Sequence, residues 1–373
     1  MNSGINKIGI LTFFDGFNYG TYLQAYSMQK VLRTLGYVPE FINYKPWFAR
    51  VKEYHWLLHR QRPSKWLRNA KKILHFRLAH SRLKRGGFHT SQRGLASVTY
   101  DAIIIGSDEV WNFHHPLFGY DPTYFSQGLA AGKILSYAAT FGSVGAEESI
   151  PQGIREAIGN IDFLSVRDAH SLDLVRRITD KPVSMSLDPT LLHNFRIQAR
   201  NPLSKDYILV YCTGLGKEAI RKIRELATMA GKRLLSIGYM NPWCDANFVG
   251  FDPLRFPGFF SNAGFVITNM FHGTVFSIKY NRPFCVLDSP YRRHKIGSFL
   301  ATLGLEGRII PDDASDAYRL FRTPIDYCPV NDILKKNAED SLNYLKAALS
   351  SPPVLHRDLV PTLTLDHENW FAG

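Results

Sequence analysis

His272 stands in a short turn between two strand-like segments. Residues 265–268 are apolar and β-branched, which is typical of a buried parallel strand. A second strand is predicted over residues 284–287, directly after Pro283. We predict a helix over residues 274–280 between them. The turn would then lie at the carboxyl edge of a parallel sheet, where ligands bind and where a helix start presents N–H groups to an anion. His272 is a candidate acid–base group there; the alternative is that it only caps the helix.

Cationic side chains follow two of the predicted strands. Residues 291–295 (YRRHK) could close over an anionic ligand, or they could form an ordinary basic surface loop. Arg167 follows a short strand over residues 163–166, and its guanidinium could clamp a carboxylate or a phosphate. The alternative for Arg167 is an ion pair with Asp168 or Asp188.

A run of small and polar residues ends another predicted strand. The strand covers residues 100–105, and residues 106–112 (GSDEVWN) follow it. Such a run at the carboxyl end of a strand favours a ligand-binding edge. The alternative is a simple turn against which Trp111 packs.

Strand and helix patterns alternate along the chain, which predicts an α/β protein. The first loop is not the GxGxxG of dinucleotide-binding folds, so it gives no support for NAD. The polar residues 194–205 are typical of a linker, after which the alternation restarts. We predict an N-terminal domain over residues 1–200, a C-terminal domain over residues 206–330, and a C-terminal helix and tail over residues 331–373.

The formal charge of +13 is concentrated in one segment. Thirteen Lys and Arg and a single acid, Glu53, give residues 50–93 a net charge of +12. Apolar residues interleave with the cations, which predicts amphipathic helices in an insertion over about residues 46–95. Three interpretations remain open: a solvated helical insertion, a contact with an anionic membrane surface, or nucleic-acid binding. No nucleic-acid motif accompanies the charge, so we expect no nucleic-acid partner.

The cysteines and the N-terminus give no sign of export or of a metal site. The four cysteines have no ligand spacing, which argues against a zinc site and a disulfide framework. No signal-peptide pattern and no apolar run of about 18 residues occurs. We therefore expect a cytoplasmic protein, peripheral at the inner face of the membrane if the basic segment binds lipid. No pattern predicts an oligomeric state.

Five segments together resemble the polysaccharide pyruvyl transferase family. They are FNYGTYLQAYSMQ, GSDEVWN, SVRD, SLDPTLL, and TNMFHGTVFSIKYNRPF followed by RRHKIGSFLATLGL, in the family's order over about residues 7–305. The resemblance implies two Rossmann-like domains that face each other across a cleft, as in the glycosyltransferase B architecture. It also implies transfer of a pyruvyl group from phosphoenolpyruvate to a sugar, as a ketal. The acceptor would belong to a cell-surface polysaccharide or its lipid-linked precursor.

The resemblance also implies roles for individual residues, with no metal and no cofactor. His272 would be the acid–base group, and the amides of Gly273 and Thr274 would bind phosphate. The implied cations are Arg167, Arg292, Arg293 and Lys295. The implied acceptor-side residues are Asn18, Tyr19, Ser107, Asp108, Trp111 and Asn112, with a sugar ring stacked on Trp111.

The sequence departs from the family pattern at Met270. Some relatives have an arginine at this position, two residues before the histidine. We expect the loop over residues 292–295 to replace its charge; the alternative is that the donor is different. Two alternatives remain. One is a glycosyltransferase of the same fold that uses a sugar nucleotide, although no acid that could hold a ribose occurs between His272 and Asp288. The other is a non-catalytic scaffold recruited to a membrane.

Overall fold

The N-terminal domain is built on parallel strands. The computed structural model describes residues 7–58, 63–95, 98–197 and 207–352. Its first seven strands are β1 (Lys7–Leu11), β2 (Val38–Tyr44), β3 (Arg85–His89), β4 (Ala102–Ile105), β5 (Ile134–Ser136), β6 (Leu164–Val166) and β7 (Val183–Met185). Strands β1 to β5 form one parallel sheet in the order β3-β2-β1-β4-β5, and β6 pairs with β7. A bridge from Leu135 to Phe163 connects β5 to the second pair.

Helices cover this sheet, and its central strands β1 and β4 are buried on both faces. They are α1 (Tyr19–Thr34), α2 (Trp47–Leu58), α3 (Pro63–His80), α4 (Gln92–Leu95), α5 (Gln152–Gly159), α6 (Ala169–Arg176) and α7 (Pro189–Leu192). Asn18 is the N-cap of α1, where its side chain accepts hydrogen bonds from the N–H groups of Gly20 (2.8 Å) and Thr21 (3.3 Å). This cap fixes the start of α1 next to the carboxyl end of β1.

The C-terminal domain repeats the same plan. Its strands are β8 (Tyr207–Tyr211), β9 (Arg233–Ile237), β10 (Ala246–Phe248), β11 (Phe265–Thr268), β12 (Phe284–Leu287) and β13 (Ile309–Ile310), all parallel in the order β10-β9-β8-β11-β12-β13. The helices are α8 (Lys217–Ala230), α9 (Phe256–Ser261), α10 (Phe271–Lys279), α11 (Arg293–Thr302), α12 (Ala317–Arg322) and α13 (Tyr327–Ser350).

The last helix, α13, leaves the C-terminal domain and packs on the N-terminal one. The Ser341 hydroxyl accepts a hydrogen bond from Leu187 N (2.9 Å), and the Tyr344 hydroxyl donates to Ser136 O (2.7 Å). The buried Lys133 ammonium donates to Ala348 O (2.8 Å) and to Ser351 O. Lys133 thereby satisfies a carbonyl in the last turn of α13, which has no partner within the helix.

The start of α1 and the basic helix α3 also join the two domains. The Tyr19 hydroxyl donates to Val249 O (2.7 Å) and accepts from Phe251 N (3.3 Å), and its ring stacks on Phe251 at 4.5 Å. Just after α3, Arg82 forms an ion pair with Asp252 (2.7 Å). The predicted basic insertion is therefore helical over most of its length, and it is also part of the domain interface.

The architecture agrees with the predicted fold class of two Rossmann-like domains. Two features differ from the predicted elements. The helix after His272 begins at Phe271, not at residue 274, and the basic insertion contains an unpredicted edge strand, β3, whose sequence RGGFH has no apolar alternation. Part of the predicted linker, residues 198–205, lies outside the described residues. Among the residues that are described, no helix is long and apolar enough to cross a membrane.

The Tyr19 hydroxyl offers a test of the domain interface. Tyr19→Phe removes one hydroxyl that both donates and accepts, so we expect the free energy of unfolding to fall by about 1–3 kcal/mol. Urea denaturation measures this change. The matched control Tyr318→Phe, at a tyrosine that is 40% exposed on α12, should change stability by less than about 0.5 kcal/mol. Equal effects of the two substitutions would contradict the assignment.

Candidate active site between the domains

His272 lies where the two domains meet. It is the second residue of α10, directly after the carboxyl end of β11, and its side chain is 10% exposed. Gly20 of α1 faces it from the N-terminal domain, and a Cβ atom at Gly20 would lie 2.1 Å from His272 Nδ1. Position 20 must therefore remain glycine for α1 to approach the imidazole this closely.

A buried carboxylate of the N-terminal domain pairs with this imidazole. Asp188 Oδ2 lies 3.4 Å from His272 Nε2 and 2.8 Å from Arg167 Nη1. The His272 contact is an ion-pair contact without the geometry of a hydrogen bond, because Nε2 has no hydrogen-bond partner among the described residues. Burial raises the pKa of Asp188, but His272, Arg167 and the Thr190 hydroxyl outweigh it and hold that pKa below its ordinary value.

Arg167 connects Asp188 to a second carboxylate. Its Nη2 lies 3.8 Å from Asp108 Oδ1, and its guanidinium lies over the Phe271 ring at 4.3 Å. Burial lowers the pKa of Arg167, but the nearby carboxylates raise it above its ordinary value, so this cation stays charged. Asp108 has a positive φ of 82°, and it accepts a hydrogen bond from the Thr21 hydroxyl (3.1 Å). Asp108 therefore combines an uncommon backbone conformation with contacts to both Thr21 and Arg167.

Glu109 holds a separate ion pair across the cleft. Its carboxylate contacts the Lys295 ammonium and accepts hydrogen bonds from the Tyr291 hydroxyl (2.9 Å) and Asn112 Nδ2 (3.1 Å). Burial raises the pKa of Glu109, but Lys295 dominates and lowers it to about 2. Because Glu109 and Lys295 belong to different domains, this pair helps to hold the cleft together.

The start of α10 differs from the predicted phosphate cradle. Thr274 N donates to Met270 O (3.1 Å), so the Thr274 amide is already used within the helix and the prediction that it binds phosphate is wrong. The helix starts one turn earlier than predicted. Its first turn instead contains the amides of Phe271, His272 and Gly273, which have no carbonyl partner within the helix.

Several predicted acceptor-side residues have structural positions instead. Trp111 is fully buried and its Nε1 donates to Tyr124 O (3.1 Å), so the prediction that a sugar stacks on it is wrong. The Ser107 hydroxyl donates to Gln24 Oε1 (2.6 Å), and Asn112 binds Glu109. Tyr19 spans the domain interface. Only Asp108 and Asn18 of the predicted set keep partly exposed side chains.

The cations of the loop over residues 291–295 have three different environments. Arg293 is exposed and pairs with Asp288, which favours the ordinary surface-loop interpretation for this residue. Lys295 pairs with Glu109. Arg292 is partly buried and donates only a long hydrogen bond, to Ser289 Oγ (3.4 Å). Among the described cations of this loop, Arg292 is therefore the one that makes no ion pair with a described carboxylate.

No metal site accompanies this geometry in the described ranges, where no group of three His, Cys, Asp or Glu side chains could hold an ion.

A family model for polysaccharide pyruvyl transferases matches residues 18–290, which is more than half of the chain. The chain belongs to the polysaccharide pyruvyl transferase family. It is therefore a transferase, and the family implies a saccharide acceptor.

Solved structures show the fold of this pyruvyl transferase family member. Arabidopsis thaliana UGT89C1 complexed with UDP-L-rhamnose is similar with a TM-score of 0.54 at 11% identity, over 93% of this chain and 100% of that chain. An S. aureus MnaA–UDP co-structure is similar with a TM-score of 0.52 at 12% identity, over 92% and 97%. These likenesses confirm the predicted glycosyltransferase B-like architecture. A comparison with curated protein sequences found no match.

The sequence interpretation missed the partners of the predicted residues. Asp188 was considered only as an alternative partner for Arg167, although the segment Asp188-Pro189-Thr190 is a recognisable helix start. Glu109 and Tyr291 lay inside predicted segments without a role. Gly20 gave no signal, because only the three-dimensional contact with His272 shows why a side chain is excluded there.

The Glu109 carboxylate gives this family member a testable pH dependence. Its folded pKa of about 2 lies below the unfolded value of about 4.3, so its stabilisation is present above pH 4.3 and is lost as the pH falls toward 2. We expect Glu109→Gln to lower the free energy of unfolding by about 3–5 kcal/mol at pH 7. The difference in free energy of unfolding between the variant and the parent should become smaller below pH 4.

Urea denaturation at pH 7, 5 and 3 measures this gap. Glu218→Gln is the control, because Glu218 is an exposed carboxylate of α8 whose ion pairs are on the surface. It should change stability little at every pH. A stability difference between Glu109→Gln and the parent that stays constant from pH 7 to pH 3 would contradict the lowered pKa of Glu109.

Proposed function

We propose that this family member transfers the pyruvyl group of phosphoenolpyruvate to a saccharide and forms a ketal, with His272 as the acid–base group. One observation carries the proposal: His272 lies between the domains and contacts Asp188, which is also the partner of Arg167. The chain that holds this arrangement belongs to the pyruvyl transferase family. The Asp188 carboxylate lies 3.4 Å from Nε2 of the imidazole, so the candidate proton donor faces a buried anion.

The reaction needs one proton donor and two sugar hydroxyls. His272 would donate its proton to the methylene carbon of the donor, and the first hydroxyl would attack the adjacent carbon. A second hydroxyl would then attack the same carbon, and the bond between that carbon and the phosphate oxygen would break. The products are the cyclic ketal and inorganic phosphate. Of the two protons lost by the hydroxyls, one would restore the proton of His272 and the other would leave on the phosphate.

The donor carries a carboxylate and a phosphate, and cations at the site suit both groups. Arg167 Nε is buried and has no hydrogen-bond partner among the described residues, although both terminal nitrogens face carboxylates. A carboxylate of the donor would satisfy this N–H group after a small adjustment of the cleft. The first-turn amides of α10 and the Arg292 guanidinium are candidates for the phosphate.

Asp108 is the candidate contact for the sugar hydroxyls. Its side chain is 13% exposed, compared with 1% for Asp188 and 10% for Glu109, so it is the most accessible of the three carboxylates at the site. Its position next to Arg167 would bring a bound hydroxyl close to the donor. Asn18, at the start of α1, remains a second candidate on this side.

The exposed surface of the basic insertion favours an acceptor held at a membrane. On α2, Trp47 and Val51 are 67% and 59% exposed, and on α3 Leu74 and Leu78 are 58% and 53% exposed. Each pair has i,i+4 spacing, so it forms an apolar stripe on its helix. Such stripes within a segment of charge +12 suit an interface with anionic lipid, which agrees with a lipid-linked acceptor.

The proposed role of His272 predicts a loss of activity without a loss of fold. His272→Ala should lower phosphate release from phosphoenolpyruvate by about 10²- to 10⁴-fold, because the proton donor is removed. The melting temperature should change little, because Arg167 and Thr190 still compensate Asp188. The control His114→Ala removes a surface histidine that pairs with Glu148, and it should keep full activity.

Donor tests separate this proposal from its alternatives. Acceptor-dependent phosphate release supports pyruvyl transfer, whereas turnover of a sugar nucleotide would replace it with glycosyl transfer. Inactivity with every donor would favour a non-catalytic scaffold. The start of α10 at Phe271 already excludes a capping role for His272, so a His272→Ala variant that unfolds at much lower temperature would support a structural role through its contact with Asp188.

The membrane contact has its own prediction. The double variant Trp47→Glu, Val51→Glu should bind vesicles of anionic lipid about tenfold or more weakly, because two apolar side chains no longer enter the interface. The control Met229→Glu changes a residue of α8 that is 64% exposed, and it should bind like the parent. Co-sedimentation at rising salt measures binding, and salt-independent or absent binding of the parent would contradict the proposal.

A further inference from the structure

Lys72 of α3 is held between the two domains. Its Nζ lies 5.6 Å from the centre of the Tyr19 ring and 5.8 Å from that of Phe76, both in the N-terminal domain. The same atom lies 6.0 Å from the centre of the Tyr239 ring in the C-terminal domain. The basic insertion therefore brings one of its cations, partly buried, to the domain interface.

A close backbone contact fixes this position. Gly250 of the C-terminal domain packs on α3, and a Cβ atom there would lie 2.9 Å from Lys72 N. The ion pair between Arg82 and Asp252 fastens the end of the same helix. Lys72 thus projects from a part of α3 that rests directly on the second domain.

The Lys72 ammonium has no compensating carboxylate at contact distance. It makes no hydrogen bond or ion pair with the residues that the structure describes, and three aromatic rings lie within 6.0 Å of it. Burial lowers the pKa of Lys72 to about 8, and the more distant Glu53 opposes this shift only in part. A partly buried cation without an anion is unfavourable unless a ligand supplies the negative charge.

A second cation, Arg292, follows β12 in the C-terminal domain, where it lies over the Tyr291 ring at 5.6 Å and makes no ion pair with a described carboxylate. Burial raises the pKa of the Tyr239 hydroxyl, and the positive charge of Arg292 opposes this rise. Tyr239 is only partly buried and stacks on Tyr211 at 5.6 Å. It follows Gly238 at the carboxyl end of β9, and Tyr211 ends the adjacent strand β8, so both cations lie at the edge where α/β sheets bind ligands.

We propose that Lys72 and Arg292 together bind a phosphate group of a substrate above Tyr239, in the cleft between the domains. This inference rests on the proposed function and identifies the residues that hold the phosphate. It also explains how the chain functions with Met270 where some relatives have an arginine: one replacement cation comes from the expected loop, and the other comes from the basic insertion.

Binding of phosphoenolpyruvate and of inorganic phosphate to the full chain, measured by titration calorimetry, tests this site. Lys72→Met keeps the aliphatic stem against the aromatic rings but removes the charge, so phosphoenolpyruvate should bind about 10- to 100-fold more weakly. Lys72→Arg should keep most of the affinity. The control Lys71→Met removes the exposed neighbouring cation and should stay within about twofold of the parent.

Further outcomes separate the site from the proposed function. If Lys72→Met folds poorly, Arg292→Met tests the same site from the C-terminal domain and should weaken binding similarly. If the parent binds a prenyl diphosphate but not phosphoenolpyruvate, and Lys72→Met weakens that binding, the phosphate site stands and the proposed donor fails. If Lys72→Met binds phosphoenolpyruvate, phosphate and prenyl diphosphate like the parent, Lys72 is only a structural contact and the inference fails.

Discussion

The contact between His272 and Asp188 is the interaction on which the candidate site depends. A carboxylate that is 1% exposed is stable as an anion only when cations and hydrogen-bond donors surround it. Arg167 and Thr190 supply part of this compensation from the N-terminal domain, and the imidazole supplies the rest from the other domain. The charged state of the site is therefore linked to the way the domains meet, because separating them would leave Asp188 with fewer partners.

Sequence patterns predicted the elements well and the side-chain partners poorly. Apolar runs located β11 and β12, and the turn between them placed His272 at the correct sheet edge. Periodicity does not report the direction of a side chain in an irregular loop, and Trp111 turns into the core, where its large apolar surface is removed from water. The pairs Asp188–His272 and Glu109–Lys295 join residues far apart in sequence, so no local pattern could reveal them.

The basic insertion has two surfaces with different properties. One surface packs on the C-terminal domain through Lys72 and Arg82, and the other exposes Leu74 and Leu78 to solvent. Net charge alone could not separate these surfaces, because both carry cations. The helical spacing of α3 separates them, since residues 72 and 74 point to different sides of the same helix.

The return of α13 to the N-terminal domain has a mechanical consequence. Over the residues that the structure describes, the chain passes between the domains twice, once between β7 and β8 and again through α13, and Lys133 anchors the end of the second crossing. Two covalent crossings restrict the relative motion of the domains more than one crossing would, and bending about the line that joins them is the motion most compatible with both. Entry and exit of substrates would then require only a small angular opening, with both sheets kept as rigid bodies.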